Sequence, residues 1–134
     1  RLGEVARRLQ AVRAFAALPE APALAAANKR IANILKKAEG EGAPAQEALL
    51  IEPAEKGLFT AMKTTVPAAD AKLDAGDYTG SLQALAALRA PVDAFFDGVM
   101  VNADDPALKS NRLGLLRELH HAMNRVADLS RLAT

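Results

Sequence analysis

The sequence predicts an all-α fold, an antiparallel bundle of about five helices. Apolar residues recur at three- and four-residue spacing along most of the chain, which is the period of one helix face. No segment alternates apolar and polar residues for long enough to build a sheet. Hydrophobic residues make up 51% of the 134 residues while aromatics make up only 4%, so alanine carries much of the apolar content and neighbouring backbones can approach closely.

The first helix is expected over Arg1 to Leu18, with Leu2, Val5, Leu9, Val12 and Ala16 on one side. The segment "LPEAP" (Leu18–Pro22) breaks it, and Pro22 suits the first turn of a second helix running to about Ala38, where a missing N–H costs nothing. Leu24, Ala27, Ile31, Ile34 and Leu35 form its inner face. "EGEGAP" (Glu39–Pro44) is a loop. A third helix begins near Pro53 and carries Leu58, Phe59, Met62, Val66 and Leu73, with Pro67 expected to kink or divide it.

"DAGDY" (Asp74–Tyr78) is a turn in which Asp77 is placed to cap the next helix. The fourth helix carries Leu82, Leu85, Leu88, Val92, Phe95, Phe96 and Val99, with a second kink expected at Pro91. Phe95, Phe96, Val99 and Met100 are assigned to core and helix-end packing ahead of the alternative, base-stacking platforms, because aromatics within apolar runs are usually buried. A fifth helix starts after Asp105, an N-cap followed by Pro106. Leu108, Leu115, Leu119, Ala122, Val126 and Leu129 line it, and Leu113 and Leu116 widen its apolar surface. A helix apolar over that much of its circumference belongs at the centre.

The length suits one compact domain, residues 1–134, and a first residue of Arg rather than Met points to a piece of a longer protein. There is no cysteine, which excludes disulfides and thiolate zinc sites and fits a cytoplasmic location. No stretch approaches the ~20 apolar residues of a membrane span.

Net charge is +1, but it is unevenly spread. Residues 1–38 hold eight Lys or Arg against two acids, residues 39–105 hold four against twelve, and residues 106–134 hold five against two. A polyanion is therefore drawn to the two ends of the sequence and repelled by its middle. On the second helix, at ~100° per residue, Asn33 points away from Ile31 and Leu35, with Lys29 and Lys36 on one flank and Arg30 and Lys37 on the other. Such a face can hold phosphates while the amide inspects a base edge. The fallback face lies on the fifth helix, at Lys109, Arg117, Asn124 and Arg125. Asn28 falls instead on the apolar side, where a hydrogen bond between helices is its expected role. Arg13 and Arg112 also point towards apolar stripes, as snorkelling side chains or members of internal ion pairs.

Catalytic signals are poor. His120 and His121 are adjacent, so on a helix they diverge by ~100° and cannot grip one metal together. "EGEGA" follows no strand and lacks the lysine of a phosphate-binding loop. Asp104 and Asp105 make a helix start rather than an acid–base couple. The chain itself is expected to be non-catalytic, with no cofactor and no metal.

Longer motifs carry a resemblance. "AAANKRIANILKKA" (Ala25–Ala38), "DAGDY", "APVDAFFDGVMVNADDPALKSNRLGLL" (Ala90–Leu116) and "RVADLSRL" (Arg125–Leu132) closely resemble the C-terminal end of the β subunit of bacterial glycyl-tRNA synthetases. That end is a DALR-type anticodon-binding helical bundle, also found in arginyl-tRNA synthetases. The last helix is similar to both branches; the "FFDGVMVNADD" block favours the glycyl one. The resemblance implies an α2β2 class II aminoacyl-tRNA synthetase that joins glycine to its tRNA with ATP and Mg²⁺. In that family the α subunit holds the catalytic core and the β subunit contributes mainly to tRNA binding. It implies glycine tRNA and the α subunit as partners, with no membrane and no DNA, and a cytoplasmic enzyme. No base-contacting residue carries over from it. The other readings are an arginyl-tRNA synthetase bundle, a protein-interaction module whose basic face meets an acidic partner, and an inert scaffold.

Overall fold

The computed structural model describes residues 2–38, 45–101 and 104–125, with side chains from residue 6 onward in the first of these segments. The expected loop at 39–44 and the positions of Val126 and Leu129 lie outside the described residues. Among the described residues six α-helices follow one another: α1 (Leu2–Ala16), α2 (Ala21–Ala38), α3 (Pro53–Asp74), α4 (Tyr78–Leu85), α5 (Arg89–Gly98) and α6 (Pro106–Met123). Short 3₁₀ turns occupy Glu47–Leu49 and Ala86–Leu88. The second of these joins α4 to α5, so the pair forms one bent rod and the bundle has five rods, as the periodicity predicts. Among the described residues there is no strand.

The two internal prolines behave differently. Pro91 sits in the first turn of α5, where its absent N–H is no loss, and the tighter 3₁₀ turn just before it absorbs the change of direction. Pro67 lies within α3, which nonetheless runs unbroken from Pro53 to Asp74. Division at Pro67 does not occur. Both Pro67 and Lys63, whose carbonyl would have received the missing hydrogen bond, are exposed, and solvent can take that carbonyl.

The junction of α3 and α4 is closed by backbone chemistry. Gly76, at φ 83°, adopts the left-handed conformation that ends α3. The Gly76 N–H donates to the Leu73 carbonyl at 2.9 Å, and the Asp77 N–H to that of Lys72 at 2.8 Å, the paired bonds of a Schellman ending. Asp77 then caps α4 at once, accepting from the Gly80 N–H at 2.8 Å. So short a connection makes α3 and α4 antiparallel neighbours.

The core is lined by Phe15, Leu24, Ile31, Leu58, Leu82 and Phe95, all 2% exposed or less, with residues of α6 at its centre. Six consecutive α6 residues, Asn111 to Leu116, are buried, so the helix is covered on all sides, as expected of the central element. Two expectations are corrected. Leu9 is 54% exposed, because α1 turns Ala11 and Phe15 inward: burying a phenylalanine removes more apolar area from water than burying Leu9. Met100 is 71% exposed although Val99 is buried. The chain leaves the helix in extended form at Val99 (φ −118°, ψ 128°), and successive side chains on extended backbone point to opposite sides.

Candidate nucleic-acid interface

The candidate surface is built on α2. Spacings of four and then three residues place Arg30, Ile34 and Lys37 along one line of the helix, and Lys29, Asn33 and Lys36 along the adjacent line. All of these except the half-buried Ile34 are exposed. The lines differ in surroundings. Arg30, Ile34 and Lys37 face a groove of about 520 Å³, completed by Val99, Met100 and Val101 after α5 and by Lys109 and Leu113 of α6. Lys29, Asn33 and Lys36 do not line it. The expected cluster is thus divided between an open face and a groove.

Arg30 is not loose. Its guanidinium carbon lies 4.3 Å from the centroid of the Phe96 ring, a cation–π arrangement that restrains a flexible side chain. Phe96 in turn meets Phe95 edge-on, with centroids 5.6 Å apart and an interplanar angle of 82°. The two adjacent aromatics divide the work: Phe95 is fully buried, and half-buried Phe96 supports a cation at the surface.

The fallback residues on α6 and beyond it are dispersed. Lys109 joins the groove. Asn124 exchanges two hydrogen bonds with Asn28, at 2.9 and 2.8 Å, and also donates to the His120 carbonyl at 2.7 Å. Asn28 therefore bridges helices, as its inward position predicts, while the Asn124 amide is engaged in that bridge. Arg125 pairs with Asp70 of α3, and half-buried Arg117 lies away from the groove lining. The Asn28–Asn124 contact at one end and the groove at the other set α2 antiparallel to α6.

Beneath the groove lies a buried ion pair. Arg112 Nη2 is 3.0 Å from Glu55 Oε1, with side chains 5% and 0% exposed. Arg112 Nη1 also donates to the Met100 carbonyl at 2.6 Å, and Glu55 Oε1 accepts from the Glu52 N–H at 3.1 Å at the start of α3. One arginine thereby ties α6 to α3 and to the wall of the groove. Arg13, by contrast, is exposed. Asn111 fastens the segment before α3: its Oδ1 accepts from the Gln46 N–H at 2.6 Å, and its Nδ2 donates to the Gln46 carbonyl at 3.2 Å.

Residues 24–129 match the family model for the DALR anticodon binding domain. The chain belongs to that family. This DALR domain is 67% identical to a glycine–tRNA ligase beta subunit of Thiobacillus denitrificans over 134 residues, 99% of the chain and 19% of that relative. It is 70% identical to the beta subunit of Polaromonas naphthalenivorans over 133 residues, 98% of the chain and 19% of the relative. For Leptothrix cholodnii the figure is 69% over 134 residues, again 99% and 19%. The chain spans about a fifth of the length of these relatives.

Sequence reading of this DALR domain expected Arg112 to snorkel or to join an internal ion pair, and the structure gives it the ion pair. It missed three things: the contribution of Lys109 to the same groove as Arg30 and Lys37, the aromatic seat under Arg30, and Glu55 as the partner of Arg112. Only the last left a local signal. A glutamate three residues into a helix that begins "EPAE" (Glu52–Glu55) reaches back to the preceding N–H, but nothing local announces its partner 57 residues away.

Proposed function

We propose that residues 1–134 act as one domain, the anticodon-region binding part of a glycine–tRNA ligase beta subunit. In this reading it helps a cytoplasmic α2β2 assembly attach glycine to its tRNA, with a catalytic alpha subunit as the partner chain. The observation that carries the reading is a DALR bundle whose α2 exposes Lys29, Arg30, Asn33, Lys36 and Lys37 on its outer side. Phosphates would sit on the cations, and the Asn33 amide would inspect a base edge. The high identity to glycine–tRNA ligase beta subunits favours this over an arginine-specific bundle.

In this reading the assembly uses ATP and Mg²⁺, and this chain carries neither. Among the described residues no group of three or more His, Asp or Glu could hold a metal ion, and no step of activation is assigned to this chain. Among the same residues no helix is long and apolar enough to cross a membrane.

Deleting this region from the full-length protein tests the reading. Glycine-dependent pyrophosphate exchange should persist while tRNA charging falls, because a remote binding surface contributes positioning rather than chemistry. Equal loss of both, in an intact assembly, contradicts it. At finer scale, Lys29→Gln and Lys36→Gln should each weaken tRNA binding and lower its salt slope by about one unit per lost contact. Asn33→Ala should reduce discrimination against other tRNAs and leave the salt slope unchanged.

A further inference from the structure

The groove between α2, the segment after α5 and the first half of α6 differs from the open lysine face in being both apolar and cationic. Ile34, Val99 and Leu113 supply its apolar lining, and Met100 stands at it with 71% of its surface exposed. Arg30, Lys37 and Lys109 line it as well, and no acidic residue does so among the described residues. Its volume of about 520 Å³ falls within the ~300–1,000 Å³ of sites that enclose small organic groups.

Resting on the anticodon-binding reading, we propose that this groove takes one unstacked nucleotide of the tRNA loop, its base against the apolar lining and its phosphate on Arg30, Lys37 and Lys109. A nucleotide out of its stack presents a flat apolar face joined to an anion, and the groove offers the complement of both. Bases splayed from RNA loops are received on apolar or guanidinium surfaces in this manner. An acidic protein segment would satisfy the cations but would leave the apolar lining of Ile34, Val99, Met100 and Leu113 without a matching group.

Two features hold the receptor ready before RNA arrives. Arg30 is seated on Phe96 at 4.3 Å, so its charge is positioned in advance. The Met100 carbonyl is held at 2.6 Å by Arg112, which is itself buried against Glu55. Fixing that backbone keeps the Met100 main chain, from which its exposed side chain projects, at the wall of the groove. Ordering costs that would otherwise oppose binding are met in the fold itself.

The test combines Met100→Ser and Lys37→Gln, in the full-length protein and its native assembly, with glycine tRNA transcripts carrying a single abasic site at each anticodon-loop position in turn. Met100 is exposed, so its replacement should leave the melting temperature unchanged. Met100→Ser is expected to weaken binding of the intact transcript about tenfold, equivalent to roughly 1.4 kcal/mol. Against one abasic transcript, the same substitution should have an effect below about twofold, within the error of additivity for uncoupled changes. Lys37→Gln should weaken both transcripts, because the phosphate remains.

Equal penalties across every abasic position overturn the groove proposal, as does unchanged binding of intact tRNA by Met100→Ser. If Lys29→Gln and Lys36→Gln still weaken binding in either case, the anticodon reading stands without the groove. If neither lysine substitution nor any abasic site alters binding, both fall.

Discussion

The Asn28–Asn124 pair shows how far a single residue can be understood from its own neighbourhood. Asn28 is fully buried, and a buried amide without a partner carries a desolvation penalty of about 1–3 kcal/mol. Its reciprocal bonds with Asn124 remove that penalty and join the middle of α2 to the end of α6. Asn28→Ala and Asn124→Ala should each lower unfolding stability by about that amount, and the double variant should cost less than the two combined. Additive losses in urea unfolding would mean that the pair is not coupled. The inward position of Asn28 was legible in the sequence, because helical phase alone puts it beside Leu24 and Ile31. Its partner was not: Asn124 lies 96 positions away, and its place beside Arg125 made it look like part of a surface. Phe95, at 0% exposure, is the simpler case, and Phe95→Ala should cost about 3–5 kcal/mol in the same assay.

At the scale of elements, local chemistry predicted starts and stops well. Asp77 and Asp105 cap α4 and α6, accepting from the N–H groups of Gly80 and Ala107 at 2.8 and 2.9 Å. Rotation of α1 was less legible. Leu9 and Phe15 lie on different faces, and only packing against the other helices decides which face turns inward. Gly80 gives a prediction whose sign depends on its cap. Alanine in a helix is ordinarily better than glycine by about 1 kcal/mol. At Gly80, however, a Cβ would collide with the Asp77 carboxyl group that caps the helix. Gly80→Ala should therefore destabilise the protein by up to the worth of that cap, about 0.5–2 kcal/mol. In an Asp77→Ala background the obstacle is gone, and the same substitution should become neutral or stabilising. Thermal melts of the wild type, the two single variants and the double variant check this, and a destabilising Gly80→Ala in both backgrounds would contradict the cap argument.

Across the whole molecule, the bundle turns an uneven charge distribution along the chain into a surface. The basic first and last segments meet where α2 packs on α6, so Arg30, Lys37 and Lys109, drawn from both, converge on one groove. Sequence charge showed which segments were basic; only tertiary packing could bring them together. The Glu55–Arg112 pair sits beneath this arrangement and has two separable consequences. Removing one partner leaves a buried charge uncompensated, which typically costs about 3–5 kcal/mol, whereas replacing both with apolar residues of similar volume is often neutral. Arg112 also holds the Met100 carbonyl, and an apolar pair cannot supply that bond. Glu55→Gln and Arg112→Met alone should both lower the melting temperature. Combining Glu55→Leu with Arg112→Met should recover much of the stability, yet tRNA binding should remain weakened because the groove wall has lost its anchor. Melting curves and tRNA titrations on the same variants separate these effects. Full recovery of binding together with stability would make the pair a folding element alone, with no share in shaping the groove.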